Sequence, residues 1–300
     1  MISTYENYYR FPSPAKLNLF LHIVGQRSDG YHQLETVFQF INHCDTIDIK
    51  VVQGDKIDLL TPIEGVNNDD NLIVKAATIL QKYILAKSTT TTNLTLGANI
   101  KVEKVLPMGG GLGGGSSNAA TVLLALNKLW QADLSLTELA RLGLVLGADV
   151  PIFIHGFAAF AEGVGEELTP VSPKEYWYLV SKPNISISTA GVFTAKALTR
   201  NTPKVNLNGD ITKLDIDLCH NDCQTLVIKQ YPEVAKLLAW LVEYAPSRMT
   251  GTGACIFSRF ETEKEACHIQ SLLPDGIKSF VAKGVNTSPL SNAIEKLALQ

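Results

Sequence analysis

A run of seven residues, 109–115, contains six glycines and constrains this chain more than any other feature, within the stretch "PMGGGLGGGSSNAA" (107–120). The segment before it, "ANIKVEKVL", alternates apolar and charged residues, which predicts a strand that Pro107 ends. The segment after it, "SSNAATVLLALNKLW", has apolar residues at helical spacing, with Ser116 or Ser117 available as the N-cap. The chain must therefore pass from a strand through bare backbone into a helix.

Bare backbone next to the start of a helix favours anion binding. Glycines lack a Cβ, so several backbone N–H groups can point at one anion, and the helix adds the positive end of its dipole. A simple turn or linker would need fewer glycines. A Walker loop is excluded because it requires a lysine before the hydroxyl residue, and here Gly115 precedes Ser116. We therefore expect a cradle for a polyphosphate.

The glycines also match the dinucleotide-binding pattern G-x-G-x-x-G, at Gly109, Gly111 and Gly114. Asp133 follows at roughly 20 residues, which is about where that pattern has its ribose-binding acidic residue. In a Rossmann unit that acidic residue ends a second strand. Here Asp133 lies in "WQADLSLTE", which reads as a joint between two helices. The pattern therefore argues against a dehydrogenase.

The rest of the chain mixes strands and helices. Predicted strands are "KLNLFLHIVG", "TVFQFI", "DTIDIKVV", "VPIFI", "YWYLVSKP" and "ISIST", with breaks at "QRSDGYHQ" and "NHCD". Predicted helices include "NLIVKAATILQKYI", a helix opened by the Ser135 and Glu138 capping box, and one around "GVFTAKALT". Asp149 is placed in the turn before "VPIFI". This pattern predicts an α+β fold in two domains, residues 1–165 and 166–300.

Composition excludes several classes of function. The net charge of −3 over 300 residues comes without a block of Lys or Arg, so no nucleic-acid partner is expected. No apolar run reaches the roughly 18 residues of a membrane helix and no signal peptide is seen, so we expect no membrane partner and a cytoplasmic location. The five cysteines are expected to be reduced thiols, and Cys219, His220 and Cys223 do not complete a zinc site.

Several motifs in chain order resemble those of the GHMP kinases. "PMGGGLGGGSSNAA" is similar to the second motif of that family, "PAKLNLFLHIVGQRSDGYHQLETVFQFI" (14–41) to its first, and "MTGTGACIFSRF" (249–260) to its glycine-rich third. The combination of "PAKLNL", "RSDGYH", "GADVPIF" and "AEGVGE" is most similar to members whose acceptor is a small molecule, a cytidine diphosphate-linked methylerythritol. The resemblance spans nearly the whole chain.

The resemblance implies a two-domain GHMP kinase fold, with a ribosomal-protein-S5-like N-terminal domain and a ferredoxin-like C-terminal domain. It implies ATP with Mg²⁺ as the cofactor, although the metal ligands stay unknown and Glu162 and Glu166 are candidates only. The implied ATP-binding residues are Pro107, Met108, Gly109, Gly110, Gly111, Leu112, Gly113, Gly114, Gly115, Ser116 and Ser117, together with Asn71, Lys104 and Thr189.

A sugar-alcohol kinase must deprotonate a hydroxyl group and neutralise charge on the transferred phosphoryl group. Asp149 alone would read as an ordinary turn residue, but the family's "GADVP" aspartate is its catalytic base. Lys16 lies in an otherwise apolar predicted strand, which is unusual for a lysine. The resemblance implies that it lies beside that aspartate. Asn18 shares its strand face and is implied to bind a hydroxyl group.

Three further residues are implied to bind the cytosine. Tyr31 and Phe193 would stack on its faces, and His32 would read its edge. The chain departs from the family at Ala190, two residues from Val192 and near Phe193, where proline is frequent.

Three alternatives stay open at this point. The first is a GHMP kinase for mevalonate, homoserine or a sugar, the second is a Rossmann dehydrogenase, and the third is a non-catalytic nucleotide-binding module. The last of these would explain the glycines but would leave Asp149 and Lys16 without a task.

Overall fold

The computed structural model describes residues 4–5, 7–87, 96–205 and 214–298. Its strands are β1 (Thr4–Tyr5), β2 (Tyr8–Gln26), β3 (His32–Val52), β4 (Ile57–Leu59), β5 (Gly97–Glu103), β6 (Ala159–Glu162), β7 (Glu167–Pro170), β8 (Trp177–Lys182), β9 (Ser247–Met249), β10 (Ile256–Phe260) and β11 (Lys278–Val285). Its helices are α1 (Leu72–Lys87), α2 (Gly114–Leu129), α3 (Leu136–Leu146), α4 (Val150–His155), α5 (Thr189–Thr194), α6 (Asp222–Gln230), α7 (Pro232–Val242), α8 (Glu263–Ser271) and α9 (Pro289–Ala298). Two short 3₁₀ turns lie at Asn68–Asp70 and Ile216–Leu218.

A long antiparallel hairpin of β2 and β3 runs through the centre of the molecule, with 19 and 21 residues in its two strands. The predicted break at "NHCD" is wrong, because β3 continues through it. The extra residues form a bulge, since Pro14 pairs with Cys44 while Ala15 pairs with Ile41. Pro14 has no N–H group to donate, so a bulge at this point costs the ladder little.

The eleven strands of the described residues form one sheet, whose main path is β1, β2, β3, β11, β8, β10 and β9. Most pairs are antiparallel, and β5 pairs with β3 on one side and with β4 on the other. The pairing of Gly284 with Ile41 joins β11 to β3, so the sheet is continuous between the two halves of the chain. The predicted division between residues 165 and 166 stays a prediction.

Three apolar clusters cover this sheet. The first lies under α1 to α4 and includes Leu290 of α9, so the last helix returns to the N-terminal half. The second lies under α5 to α8. The third, which includes Leu17, Phe20 and Val180, joins the central hairpin to β8 and β10. The hairpin therefore contributes buried residues to all three clusters.

Two predicted strands are wrong. "VPIFI" is the helix α4, in which Pro151 occupies the first turn, the one helical position that proline favours. A short apolar run has no readable period, so its pattern could not distinguish a strand from a buried helix. "ISIST" forms no strand and leads directly into α5, which begins at Thr189 and ends earlier than predicted. The Ser135 and Glu138 capping box is confirmed.

All five cysteines are free thiols, as predicted. His220 bonds to Asp222 at 2.8 Å. No group of three or more His, Cys, Asp or Glu side chains with metal-binding geometry occurs in the part of the chain that the structure describes. Among the described helices, none combines the length and the apolar character needed to cross a bilayer.

Candidate active site

A cavity of about 1410 Å³ opens between the glycine loop, the central hairpin and the start of α5. It brings together residues that are far apart in the sequence. The predicted site residues that line it are Lys16, Asn18, Tyr31, His32, Asn71, Lys104, Asp149, Thr189 and Phe193, with 107–116 of the glycine loop. Ser117 is the predicted site residue that does not line the cavity.

The glycine loop enters α2 earlier than predicted. The helix begins at Gly114 with Gly113 as its N-cap, in a left-handed conformation and without a side-chain cap, so the predicted serine N-cap is wrong. The first backbone N–H groups of α2 therefore have no side-chain partner at the cap, and the first turn contains no acidic residue. Such an exposed helix start is suited to phosphate oxygens.

Other glycines are required by close packing within the protein. A Cβ on Gly111 would lie 2.2 Å from the carbonyl oxygen of Thr250, and one on Gly110 would lie 2.5 Å from Cys255 Sγ. Backbone bonds from Ala254 and Cys255 to the carbonyl oxygens of Gly109 and Gly110 fasten the two loops together. The second and third glycine-rich motifs therefore form one unit.

Gly114 and Gly115 differ from these. A Cβ on Gly114 would come no closer than 3.4 Å to Lys104 Nζ, and one on Gly115 no closer than 3.6 Å to Leu72 Cδ1. Both contacts are ordinary, and neither residue has a positive φ. The protein's own packing therefore does not demand glycine at these two positions, although both line the cavity.

Lys16 and Asp149 form an ion pair in the cavity, with 3.2 Å between Nζ and Oδ2. The Lys16 side chain is 3% exposed and the Asp149 side chain 37% exposed, so the carboxylate is the member that faces the cavity. Lys16 Nζ also donates to Asn18 Oδ1 at 2.5 Å and to the carbonyl oxygen of Gly111 at 3.1 Å. Burial of this ammonium group is therefore compensated by three acceptors.

Asp149 lies in the turn between α3 and α4. It is the N-cap residue of α4, yet its side chain makes no capping bond. One carboxylate oxygen contacts Lys16, and the other has no protein donor among the described residues. The carboxylate is thus held in place by Lys16 while retaining an oxygen that can accept a proton.

Asn18 makes two hydrogen bonds besides the one that its Oδ1 accepts from Lys16. Its Nδ2 donates to Thr36 Oγ1 at 3.0 Å, and its backbone N–H donates to Thr250 Oγ1 at 2.9 Å. The strand alternation that placed Lys16 and Asn18 on one face is interrupted after Asn18 by a register shift before Leu21.

Lys104 and Ser117 belong to a buried network behind the loop. Lys104 is ion-paired with Asp45, a fully buried carboxylate that also accepts from Asn118 Nδ2 at 3.0 Å. Ser117 Oγ accepts from Ser13 at 2.8 Å and is fully buried. Ser117 therefore does not reach the cavity, and its hydroxyl supports the loop from behind.

Asn71 offers an unused donor at the cavity wall. Its Oδ1 accepts from the backbone of Ile73 at 3.0 Å, whereas its buried Nδ2 has no partner in the described structure. A buried donor without a partner is costly, and a ligand acceptor would satisfy it. The residue therefore fits a nucleotide bound beside the glycine loop. Thr189, at the opposite rim, shares a hydrogen bond of 3.0 Å with Thr252 of the third motif.

The far end of the cavity is aromatic. His32 stacks on Phe193 with 5.1 Å between ring centroids and an interplanar angle of 27°. Tyr31 lines the same end of the cavity and is 62% exposed, so its ring is open to a ligand. Arg200, which the sequence did not single out, donates from Nε to His32 Nε2 at 2.9 Å. Burial, and next the charge of Arg200, lower the pKa of His32.

The two glutamates considered as metal ligands have other partners. Glu166 accepts from the backbone of Val164 at 2.6 Å, and Glu162 lies 3.2 Å from Lys204 Nζ. Neither residue lines the cavity.

Comparisons with known proteins identify the family to which this architecture belongs. The family model of the GHMP kinases N-terminal domain matches residues 71–157, and that of the GHMP kinases C-terminal domain matches residues 202–273. A curated relative from Colwellia psychrerythraea is 63% identical over 96% of this chain and 94% of its own length, and it is named 4-diphosphocytidyl-2-C-methyl-D-erythritol kinase. The chain belongs to the GHMP kinase family. As a GHMP kinase it is an ATP-dependent phosphotransferase, and its α+β two-domain fold is confirmed.

Other relatives agree. A curated protein from Aliivibrio fischeri, which carries the same name as the Colwellia protein, is 56% identical to this GHMP kinase over 96% of both chains. A solved 4-(cytidine 5'-diphospho)-2C-methyl-D-erythritol kinase superposes with a TM-score of 0.76 at 28% identity, covering 92% of this chain and 98% of that chain. The mevalonate kinase of Methanococcus jannaschii superposes with a TM-score of 0.67 at 17% identity, covering 94% and 100%, which shows a shared fold. Neither a dehydrogenase nor a non-catalytic module is consistent with these matches.

Proposed function

We propose that this GHMP kinase phosphorylates the 2-hydroxyl group of 4-diphosphocytidyl-2-C-methyl-D-erythritol, using ATP, in non-mevalonate isoprenoid precursor biosynthesis. One observation carries the proposal: the Lys16 and Asp149 pair, at 3.2 Å, shares a single cavity with the glycine loop and with the aromatic group of Tyr31, His32 and Phe193. The names of the relatives at 56% and 63% identity support this acceptor.

Asp149 is the proposed general base. Its cavity-facing carboxylate can accept the proton of an acceptor hydroxyl, and a positioned base typically contributes about 10²-fold to 10⁴-fold in rate. Lys16 keeps that carboxylate oriented and adds positive charge where the phosphoryl group would be transferred. Asn18, bonded to Lys16, supplies an amide to the same wall of the cavity.

The nucleotide is proposed to lie along the loop from Pro107 to Ser116. The first N–H groups of α2 would hold phosphate oxygens, Asn71 Nδ2 would bond the nucleoside, and Lys104 and Thr189 would lie at its edges. ATP supplies the phosphoryl group when bound. Mg²⁺ is proposed to be held mainly by the phosphates, because Glu162 and Glu166 have other partners and do not line the cavity.

The aromatic end of the cavity distinguishes this acceptor from others in the family. Mevalonate, homoserine and sugars have no base that could stack on an aromatic ring. Bound in this cavity, they would leave Tyr31 exposed and the His32 and Phe193 rings without a ligand contact. A kinase for one of these acceptors is the remaining alternative. The absence of nucleic-acid and membrane partners, the cytoplasmic location and the domain division at 165/166 stay predictions.

A coupled assay of ADP release against a panel of acceptors tests the proposal. We expect turnover with the cytidine diphosphate-linked acceptor and at least about 100-fold lower kcat/KM with mevalonate, homoserine and galactose, since these forgo about 3 kcal/mol of base contacts. Equal or better turnover of any of the other three would overturn the proposed acceptor while leaving the kinase activity in place.

A further inference from the structure

Arg200 lines the cavity beside His32, and its guanidinium group makes four hydrogen bonds there. Besides its bond to His32 Nε2, it donates from Nη2 to the carbonyl oxygens of Phe193 and Ala195 at 2.9 Å each, and from Nη1 to that of Leu198 at 3.1 Å. A guanidinium group has only donors and stays charged. The direction of the bond to His32 is therefore fixed: the imidazole nitrogen must accept.

This direction determines where the imidazole carries its hydrogen. A neutral imidazole has one donor and one acceptor nitrogen, so a ring that accepts at Nε2 is protonated at Nδ1. The lowered pKa of His32 keeps the ring neutral near pH 7. His32 lines the cavity, and within the described ranges only Nε2 of its ring is hydrogen-bonded to protein. Nδ1–H is thus the donor left for a ligand.

A fixed donor distinguishes between the two common pyrimidines. Cytosine presents N3 as an acceptor on its pairing edge, whereas N3 of uracil carries a hydrogen and is a donor. An Nδ1–H group facing N3 would complement cytosine and would oppose uracil, donor against donor. The opposite tautomer, with a bare Nδ1, would reverse this preference.

We propose that Arg200 is a specificity-determining positioning residue: by donating to His32 Nε2 it holds the imidazole as the Nδ1–H tautomer, which selects cytosine over uracil in the acceptor. This inference rests on the proposed function, because it assigns the mechanism by which the acceptor's base is read. Arg200 itself does not touch the reacting atoms. It also anchors the end of α5, which carries Phe193.

The tautomer can be observed directly by two-bond ¹H–¹⁵N correlation spectra of the full-length protein. In the wild type we expect the His32 signals of a ring with Nδ1 protonated and Nε2 bare. Arg200→Met should convert this to a mixture of the two tautomers, while Arg141→Met, at an exposed position of α3, should not. A wild-type ring protonated at Nε2 would overturn the proposal.

Substrate choice gives the second readout. The wild type should favour the cytidine-linked over the uridine-linked acceptor by at least about 10-fold in kcat/KM, the effect of one mismatched buried hydrogen bond. Arg200→Met should reduce this ratio about 5-fold or more, with the KM for ATP unchanged. Should Arg200→Met not fold, Arg200→Gln keeps a polar side chain whose amide can either donate or accept, so it does not fix the tautomer and should also reduce the ratio.

The same substitution in a His32 variant tests whether Arg200 acts through the His32 ring or through the position of α5. His32→Asn removes Nε2, the atom that Arg200 bonds, so in this variant Arg200→Met should leave the cytidine-to-uridine ratio unchanged. A ratio that still falls there would show that Arg200 acts through α5 and would overturn the proposal. A wild type that selects cytidine, with an Arg200→Met ratio equal to wild type, refutes this inference alone. A wild type that does not phosphorylate the cytidine-linked acceptor refutes the proposed function.

Discussion

Lys16 Nζ and Asp149 Oδ2 lie 3.2 Å apart, and their exposures are opposite: the ammonium group is 3% exposed and the carboxylate 37%. A buried cation beside a reachable anion orients the anion without removing it from the substrate's reach. Because Lys16 is also bonded to Gly111 of the glycine loop, the same side chain sets the position of the base relative to the phosphate cradle.

Asp149→Asn should lower kcat about 10²-fold to 10⁴-fold, because the amide cannot accept the proton of the hydroxyl group. The affinities for ATP and acceptor should change little, since the amide keeps the shape of the side chain. Steady-state kinetics together with calorimetric ATP titration would measure both. Asp133→Asn, on the exposed joint between α2 and α3, is the matched control and should retain wild-type turnover. Near-normal kcat in Asp149→Asn would remove this residue from the mechanism.

Gly113 and Gly115 should respond differently to alanine. Gly113 has φ +72°, and its Cβ would lie 2.8 Å from Phe153, so Gly113→Ala should lose stability and lower the melting temperature. Gly115 has room, so Gly115→Ala should melt like the wild type yet weaken ATP binding about 10-fold by intruding on the phosphate side of the helix start. If Gly115→Ala kept wild-type ATP affinity in calorimetry, these N–H groups would not hold phosphates.

Tyr31→Ala should raise the KM for the cytidine-linked acceptor about 5-fold to 150-fold, the equivalent of roughly 1 to 3 kcal/mol for one stacked base. The KM for ATP should not move. Tyr244→Ala, another exposed tyrosine, which packs against Trp240 on the C-terminal side, is the control and should leave both constants unchanged. As a companion measurement, wild-type turnover of 2-C-methyl-D-erythritol 4-phosphate should be much weaker, and equal efficiency with this truncated acceptor would refute the cytidine contact.

Stability should fall as the pH is lowered below about 6.5. Burial lowers the pKa of His22, His32, His43 and His155 below the ordinary 6.5. The unfolded chain then takes up protons that the folded protein refuses, and stability decreases with falling pH. Glu35, whose pKa burial raises above 4.5, opposes this trend toward lower pH. Urea unfolding between about pH 7.5 and about pH 5.5 would measure the slope, and His22→Gln should flatten it. A free energy of unfolding that is constant over this range would contradict the prediction.

The sequence predicted the parts of this protein whose signals are local. The strand before the glycines, the helix after them and the capping box at Ser135 each follow from patterns within a few residues, and the structure has all three. The helix α4 was missed because a five-residue apolar run shows no period, although Pro151 next to Asp149 was a usable signal for a helix start. The start of α2 was misplaced because glycine itself serves as the cap.

Long-range contacts could not be predicted from one sequence. Arg200 is 168 residues from His32, and Asp45 is 59 residues from Lys104, so neither partnership leaves a local pattern. The same limit applies to Ser117, whose hydroxyl accepts a hydrogen bond from Ser13 on a distant strand. The family resemblance indicated the proposed site residues, whereas their supporting side chains are visible only in the folded chain.

The central hairpin sets the distance between the two groups of proposed acceptor-binding residues. Lys16 and Asn18 lie in the arm of β2, while Tyr31 and His32 lie where the hairpin turns into β3. A paired strand has a nearly constant rise of about 3.3 Å per residue and stretches little. On the proposed function the hairpin is therefore a ruler: an acceptor anchored by its base at the tip delivers its hydroxyl group to Asp149 only if its diphosphate bridge has the right length.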